Sequence, residues 1–252
     1  MLRTVSIALS LIAYPAIAAP VEAQYVAYAA GISVVKLKAD FEVAPASYRV
    51  RLAFQTVGAV GLLLHAAQDT VVEGQFAADG RPVPTRFFST GTLRGAPRVT
   101  QIDYRASQPR VRQLVPPNEE ERETVPDAQQ VDTIDSLSAM ADLVRRVNTT
   151  GRCDGRVTTF DGRRLAELQS HTAGRETLEP TSRSSFAGST LRCDFTGKQL
   201  AGFRHDASAK DRDLQHGSAW FAAVTPGGEL IPVRISFQTK FFGDAVMYLT
   251  AG

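Results

Sequence analysis

The side chains able to carry chemistry are few and scattered. The histidines are His65, His171, His205 and His216. None sits four residues from another with a glutamate beside it, the helical spacing that builds a hydrolytic zinc site. The nearest approach to a site is His205-Asp206 with Asp211, Asp213 and His216. Imidazoles and carboxylates crowded this way could support metal-assisted hydrolysis. No ligand spacing recurs there, so a polar surface loop between strands is the favoured reading. A nucleophilic serine needs a base and a strained turn. The chain has no Gly-x-Ser-x-Gly and no Ser-x-x-Lys with its companion motifs. It also lacks the Gly-x-Gly-x-x-Gly phosphate cradle. The adjacent acids Glu119 and Glu120 lie in a proline-flanked stretch that would not hold a catalytic pair in place. No catalytic residue, no metal and no cofactor is expected, and the chain reads as a non-enzyme.

Cys153 and Cys193 are the two cysteines. An even count in an exported chain points to a disulfide. Such a bridge typically stabilises by ~2–4 kcal/mol, mostly by restricting the unfolded chain. The rival readings are a thiol nucleophile or a metal pair. Two cysteines without nearby histidines make a poor metal site.

The export argument comes from the N-terminus. Arg3 precedes an apolar run from Val5 to Ala18, and small residues follow through Ala23. A basic start, an apolar core and a small-residue cleavage site are the parts of a signal peptide. The run is shorter than the ~20 residues of a membrane-spanning helix, and Pro15 interrupts it. Residues 1–23 are assigned to the signal, with cleavage after Ala23; cleavage after Ala18 or Ala19 is the alternative. Residues 24–252 then form a single domain in the periplasm, with no transmembrane segment. A net charge of +2 without a Lys/Arg stripe gives no case for nucleic acid.

The elements that must position any site are mostly strands. Val35, Leu37, Ala39, Phe41 and Val43 alternate with charged residues, and Tyr48, Val50, Leu52 and Phe54 alternate with Arg49, Arg51 and Gln55. Ile231, Val233, Ile235 and Phe237 repeat the pattern near the C-terminus. Period two with one apolar face is the mark of antiparallel sheet. Pro45-Ala46-Ser47 suits a hairpin, and a phase change upstream of Val35 calls for a bulge near Gly31 to Val34. Weaker runs bring the count to roughly ten strands, the spacing of a barrel or large curved sheet. Val157 to Leu168 is taken as one of them.

One segment has helical period: Ile134, Leu137, Met140, Ala141, Val144 and Val147. Asp132 is placed at its cap, Arg145 and Arg146 in its last turn, and Gly151 at its end. Pro116 to Glu121 reads as an exposed acidic loop leading into it. The fold class is mainly β: a large curved antiparallel sheet, or half-barrel, packed around one amphipathic helix carrying Leu137, Met140 and Val144.

Two features bear on binding. The uncharged run with Val57, Val60, Leu62, Leu63 and Leu64 is either an apolar lip for a ligand or partner, or a buried turn packed on the helix. A curved sheet over one helix can also enclose an apolar cleft, the usual shape of a site for hydrophobic ligands. Asp79-Gly80-Arg81-Pro82 and Phe160-Asp161-Gly162-Arg163-Arg164 read as hairpin turns with arginines on the wet face.

A tyrosine-rich opening strand with Gly31 and the Asp79-Gly80-x-Pro82 turn come first in a recurring order. The helix starting at Asp135-Ser136-Leu137 and the Phe160-Asp161-Gly162-Arg163-Arg164 string between two cysteines follow. Ala219-Trp220 and Ile231-Pro232-Val233-Arg234 complete it. In this order the chain resembles the bacterial domain-of-unknown-function family 3108. The resemblance implies a half-barrel with a helix in its concavity, like the periplasmic carriers that localise lipoproteins, and it adds weight to the disulfide. It implies no catalytic residues. The functional expectation is a periplasmic protein binding a lipid, lipoprotein or other apolar ligand, or another envelope protein. An interaction module without a cavity is the alternative, and a hydrolase built on His205 to His216 ranks last.

Overall fold

The computed structural model describes residues 20–239 and 243–252. Residues 1–19 of the predicted signal segment lie outside them. Thirteen strands form one antiparallel sheet. The first seven are β1 (Val21–Ala29), β2 (Ile32–Val43), β3 (Ser47–Thr56), β4 (Ala66–Phe76), β5 (Pro82–Leu93), β6 (Ala96–Arg105) and β7 (Gln108–Val115). The rest are β8 (Gly155–Phe160), β9 (Leu165–Leu178), β10 (Gly188–Ala201), β11 (Gln215–Ala223), β12 (Leu230–Thr239) and β13 (Gly243–Ala251). Among the described residues three α-helices interrupt them, α1 (Gly58–Leu63), α2 (Asp127–Gln130) and α3 (Ser136–Thr150), with short 3-10 turns at Asn118–Glu120 and Ala209–Arg212.

Every neighbour is a hairpin partner except one pair. β1 pairs with β13, so the first and last strands meet in mid-sheet, and β7 and β8 become the edges. The segment between them covers those edges, as unpaired strand edges require. Ile134 makes a parallel bridge to Thr159 on β8, and the Asp132 amide donates to the Ser107 carbonyl at the β6–β7 turn. The result is a nearly closed barrel. Thirteen strands exceed the ten expected, partly because Val157 to Leu168 is two strands with a turn at 161–164. Most of β9 was hidden because its residues past Leu168 are polar on both faces, leaving no apolar period.

The apolar phase of each strand faces inward. Phe41, Val50, Val72, Phe87 and Ile102 supply one wall of the core, and Phe221, Ile231, Val233 and Leu249 the other. Ala141, Val144 and Val147 of α3 pack between them. The bulge falls at Val34, where the ladder steps from Ala27↔Val35 to Tyr28↔Ser33.

The helix cap differs from expectation. Asp135, not Asp132, caps α3, its carboxylate accepting the Ser138 amide at 2.8 Å. Ile134 belongs to the bridge with β8 instead of the helix, which shifts the start by three residues. Gly151 ends α3 at φ +66°, the left-handed conformation glycine adopts freely. Arg145 and Arg146 lie one turn before the end. They donate to the Gly80 carbonyl and to the Cys153 and Asp154 carbonyls. Of the three helix residues singled out, Val144 is fully buried, while Leu137 and Met140 are half-buried. Cys153 and Cys193 are bonded, stapling the segment after α3 to the middle of β10.

Candidate functional site

The inner face of the barrel is filled at one end and hollow at the other. At the filled end Tyr48, Val50, Val72 and Phe76 pack with α3. Beyond the N-terminus of α3 a cavity of about 440 Å³ remains, within the range of small-molecule sites. Leu52 and Phe54 of β3, Phe87 of β5 and Leu137 of α3 form its apolar wall. Strand alternation puts all three strand positions on the inward phase. Its polar floor is Gln68, Thr70 and Ser89, which satisfy one another: Gln68 Nε2 donates to Ser89 Oγ at 2.5 Å, and the Thr70 and Ser89 hydroxyls lie 2.8 Å apart.

The remaining wall is charged. Arg98, on the inward phase of β6 with Ile102 and Tyr104, donates both terminal nitrogens to Glu121, each at 2.6 Å. Glu121 also faces Arg163 at 3.8 Å. Its hydrogen bonds from Arg98 hold the Glu121 carboxyl below its ordinary range, against the opposing effect of burial. Arg122, Arg164 and Arg204 stand in the same wall with Asp161.

The Asp161-Gly162-Arg163-Arg164 turn builds this wall. The Asp161 carboxylate accepts the amides of Arg163 and Arg164 at 2.9 and 2.7 Å, closing the turn. Burial acts to raise the Asp161 carboxyl, but the Arg164 charge and these hydrogen bonds outweigh it and hold it low. Gly162 sits at φ +88°, where a Cβ would approach Thr100 Cγ2 to 2.8 Å. Only glycine lets the turn press this closely onto β6. Arg163 is therefore not on the wet face, as expected for a hairpin arginine. Its side chain is 13% exposed and donates to the Val115 and Pro116 carbonyls. Arg164 does face solvent, paired to Asp161.

Outside this wall the cavity meets a wider mouth of about 1280 Å³, sharing Leu93, Arg98, Glu121 and Arg204 with it. A shallower depression of about 730 Å³ adjoins it across Phe54, Ala67, Gln68 and Thr92.

The residues from Val57 to Leu64 form α1 and its flanks instead of a loop. They are not packed on α3. Leu62 and Leu63 are 90% and 86% exposed, Val57 and Val60 are half-buried, and Leu64 lines the mouth. The buried alternative for this run does not form.

The His205 to His216 group is drawn apart. His205 Nε2 lies 3.0 Å from the Glu119 carbonyl, and Asp206 pairs with Arg204. Asp211 accepts from the amide and hydroxyl of Ser208, closing a capping box. His216 lies opposite Thr196 in the β10–β11 ladder. Among the described residues no group of three or more His, Cys, Asp or Glu is placed to hold a metal. Among the described residues no helix is long and apolar enough to cross a membrane. The disulfide is the covalent mark of a chain that matures outside the cytoplasm.

The charged wall went unnoticed in the sequence. Its signal was Arg98, a cation in the apolar phase of a strand, joined to a turn with two arginines.

No curated protein matches the chain. Among solved structures it is similar to a β-barrel-like protein of domain of unknown function DUF1849 from Brucella abortus. That likeness has 11% identity over 92% of this chain and 95% of the other, with a TM-score of 0.51. It concerns the fold alone. A candidate lipoprotein from Parabacteroides distasonis has 11% identity over 94% of this chain and 95% of its own, at a TM-score of 0.32 too low to bear on fold or role. Matched by the family model over residues 24–250, the chain belongs to the family described as protein of unknown function (DUF3108).

Proposed function

We propose that this protein is a non-enzymatic binding protein of the periplasm, reached after removal of its N-terminal signal, that holds the apolar part of a lipid or lipoprotein in the cavity beside α3. The observation that carries this reading is the hollow itself. A sheet of this size could have closed on side chains alone, yet Leu52, Phe54 and Leu137 remain part-exposed to open space. Burying such surface against a hydrocarbon chain is favourable by about 25 cal/mol per Å². The exposed Leu62 and Leu63 stand on α1, beside the mouth that Leu64 lines, where an entering chain or a donor membrane would meet them.

Native mass spectrometry of gently purified protein should reveal an adduct of lipid mass, and Leu137→Trp, which fills the cavity, should abolish it. Repeated ligand-free preparations that take up neither fatty acid nor phospholipid would overturn the reading. Leu62→Ser with Leu63→Ser should slow uptake from vesicles without changing Tm, because both side chains already face water.

A further inference from the structure

The cavity's charge is lopsided. Its lining holds Arg98, Arg122, Arg163, Arg164 and Arg204; pairing Arg98 with Glu121, Arg164 with Asp161 and Arg204 with Asp206 leaves Arg163, which shares Glu121, and Arg122 as the surplus cations. Like charges gathered beside an apolar wall repel one another, and water screens the largely covered Arg98 and Arg163 poorly. Burial lowers the Arg122 and Arg163 guanidinium groups from their ordinary range, and neighbouring arginines push in the same direction.

The donors are also incompletely used. Arg98 Nε and Arg163 Nη1 are both buried and make no hydrogen bond among the described residues. A buried donor without an acceptor is destabilising, and more so when charged. Arg98 and Arg163 converge on the one carboxylate of Glu121. A second oxyanion in the cavity would relieve the repulsion. Guanidinium forks suit carboxylate and phosphate geometry.

We infer that the charged end of the cavity is an oxyanion site, and that the ligand is an anionic amphiphile. Its carboxylate or phosphate lies against Arg98 and Arg163, and its chain runs along Leu52, Phe54 and Leu137. The inference rests on the cavity being a ligand site and adds the chemistry of the ligand's head.

The test compares probes on the mature chain by isothermal titration: laurate, dodecyl phosphate, the neutral ester monolaurin and inorganic phosphate. Laurate and dodecyl phosphate should bind at least about tenfold more tightly than monolaurin, the worth of one charge-assisted hydrogen bond. Arg98→Gln should weaken laurate by about tenfold and leave monolaurin unchanged. Glu121→Gln should tighten laurate, because it frees the Arg98 fork. A merely structural role for Glu121 would not move binding in that direction. The double variant Arg98→Gln with Glu121→Gln leaves no unpaired charge in that pair but keeps Arg163, and it should bind laurate more weakly than Glu121→Gln alone while still preferring it to monolaurin. Equal affinity of laurate and monolaurin for the unmodified protein would overturn the inference while leaving the cavity reading intact. Inorganic phosphate binding as tightly as laurate would overturn the amphiphile in favour of a free anion. Failure of all four probes would remove the cavity reading itself.

Discussion

The phenol of Tyr48 on β3 donates a 2.8 Å hydrogen bond to Ser138 Oγ on α3, and that hydroxyl donates in turn to Asp135 at 2.6 Å. Through this relay the sheet grips the helix at its first turn, next to the cavity. The Tyr48 ring has room only because its strand partner is Gly74, where a Cβ would come within 2.3 Å of the ring. Gly74→Ala should therefore displace the ring and lower stability by about 1–3 kcal/mol. Tyr48→Phe keeps the ring and removes only the donor, at about 1 kcal/mol. Urea unfolding of both variants checks the order. A Gly74→Ala protein as stable as the parent would show that the ring does not hold this position.

Asp135 is fully buried, and burial raises its carboxyl to about 6 in spite of the Ser138 hydrogen bonds. A folded value above the unfolded one means that the folded state binds the proton more tightly. The contribution of Asp135 to stability is therefore complete below its unfolded value of 3.8 and is lost as pH rises through about 6. Asp135→Asn preserves a good helix cap and cannot ionise. The Tm difference, parent minus variant, should fall between pH 4 and pH 7. A difference independent of pH would show that Asp135 does not titrate in this window. Other acids act oppositely: Asp154, held at about 2 by the Thr172 hydrogen bonds, supports the fold until strongly acid pH.

The Cys153–Cys193 bond ties the end of α3 to β10 across β9. Replacing both cysteines by alanine should cost about 2–4 kcal/mol in urea unfolding, and reductant should lower the Tm of the parent but not of the variant. Parent protein insensitive to reductant after unfolding and refolding would count against a stabilising bridge. Loosening this staple should also weaken ligand retention, because α3 forms one wall of the cavity.

Much of this architecture was legible because period two is a direct consequence of a sheet with one wet face. Val35 to Val43 and Tyr48 to Phe54 announced their strands, and the Val34 bulge followed from a change of phase. The helix was legible from its apolar stripe, though Ile134 extended that stripe falsely because it is buried against β8. The cavity was not legible. Leu52, Phe54 and Leu137 look like any core residues in one dimension, and whether facing side chains meet depends on barrel diameter. The charged wall depends on contacts between Arg98, Glu121 and Arg163, which no local pattern couples. Arg163 in particular reads as a solvent-facing turn residue until the turn is seen pressed against β6.

If the proposed signal is removed on export, the first strand constrains where the cut falls. Val21, Glu22 and Ala23 pair with Phe41, Asp40 and Ala39 of β2. Ala23 is completely buried, and Glu22 lies 2.9 Å from Lys38 Nζ. Cleavage after Ala23 would strip these three residues from β1 and leave part of the inner edge of β2 unpaired. Cleavage after Ala18, at the small-x-small sequence Ala16-Ile17-Ala18, leaves the whole of β1 in the mature chain. The intact mass of the exported protein should therefore correspond to a first residue of Ala19. A chain made to begin at Gln24 should unfold at lower urea concentration than one beginning at Ala19, since it loses both ladder hydrogen bonds and a buried methyl group. Exported protein that begins at Gln24 and matches the longer chain in stability would show that β1 does not need its first three residues.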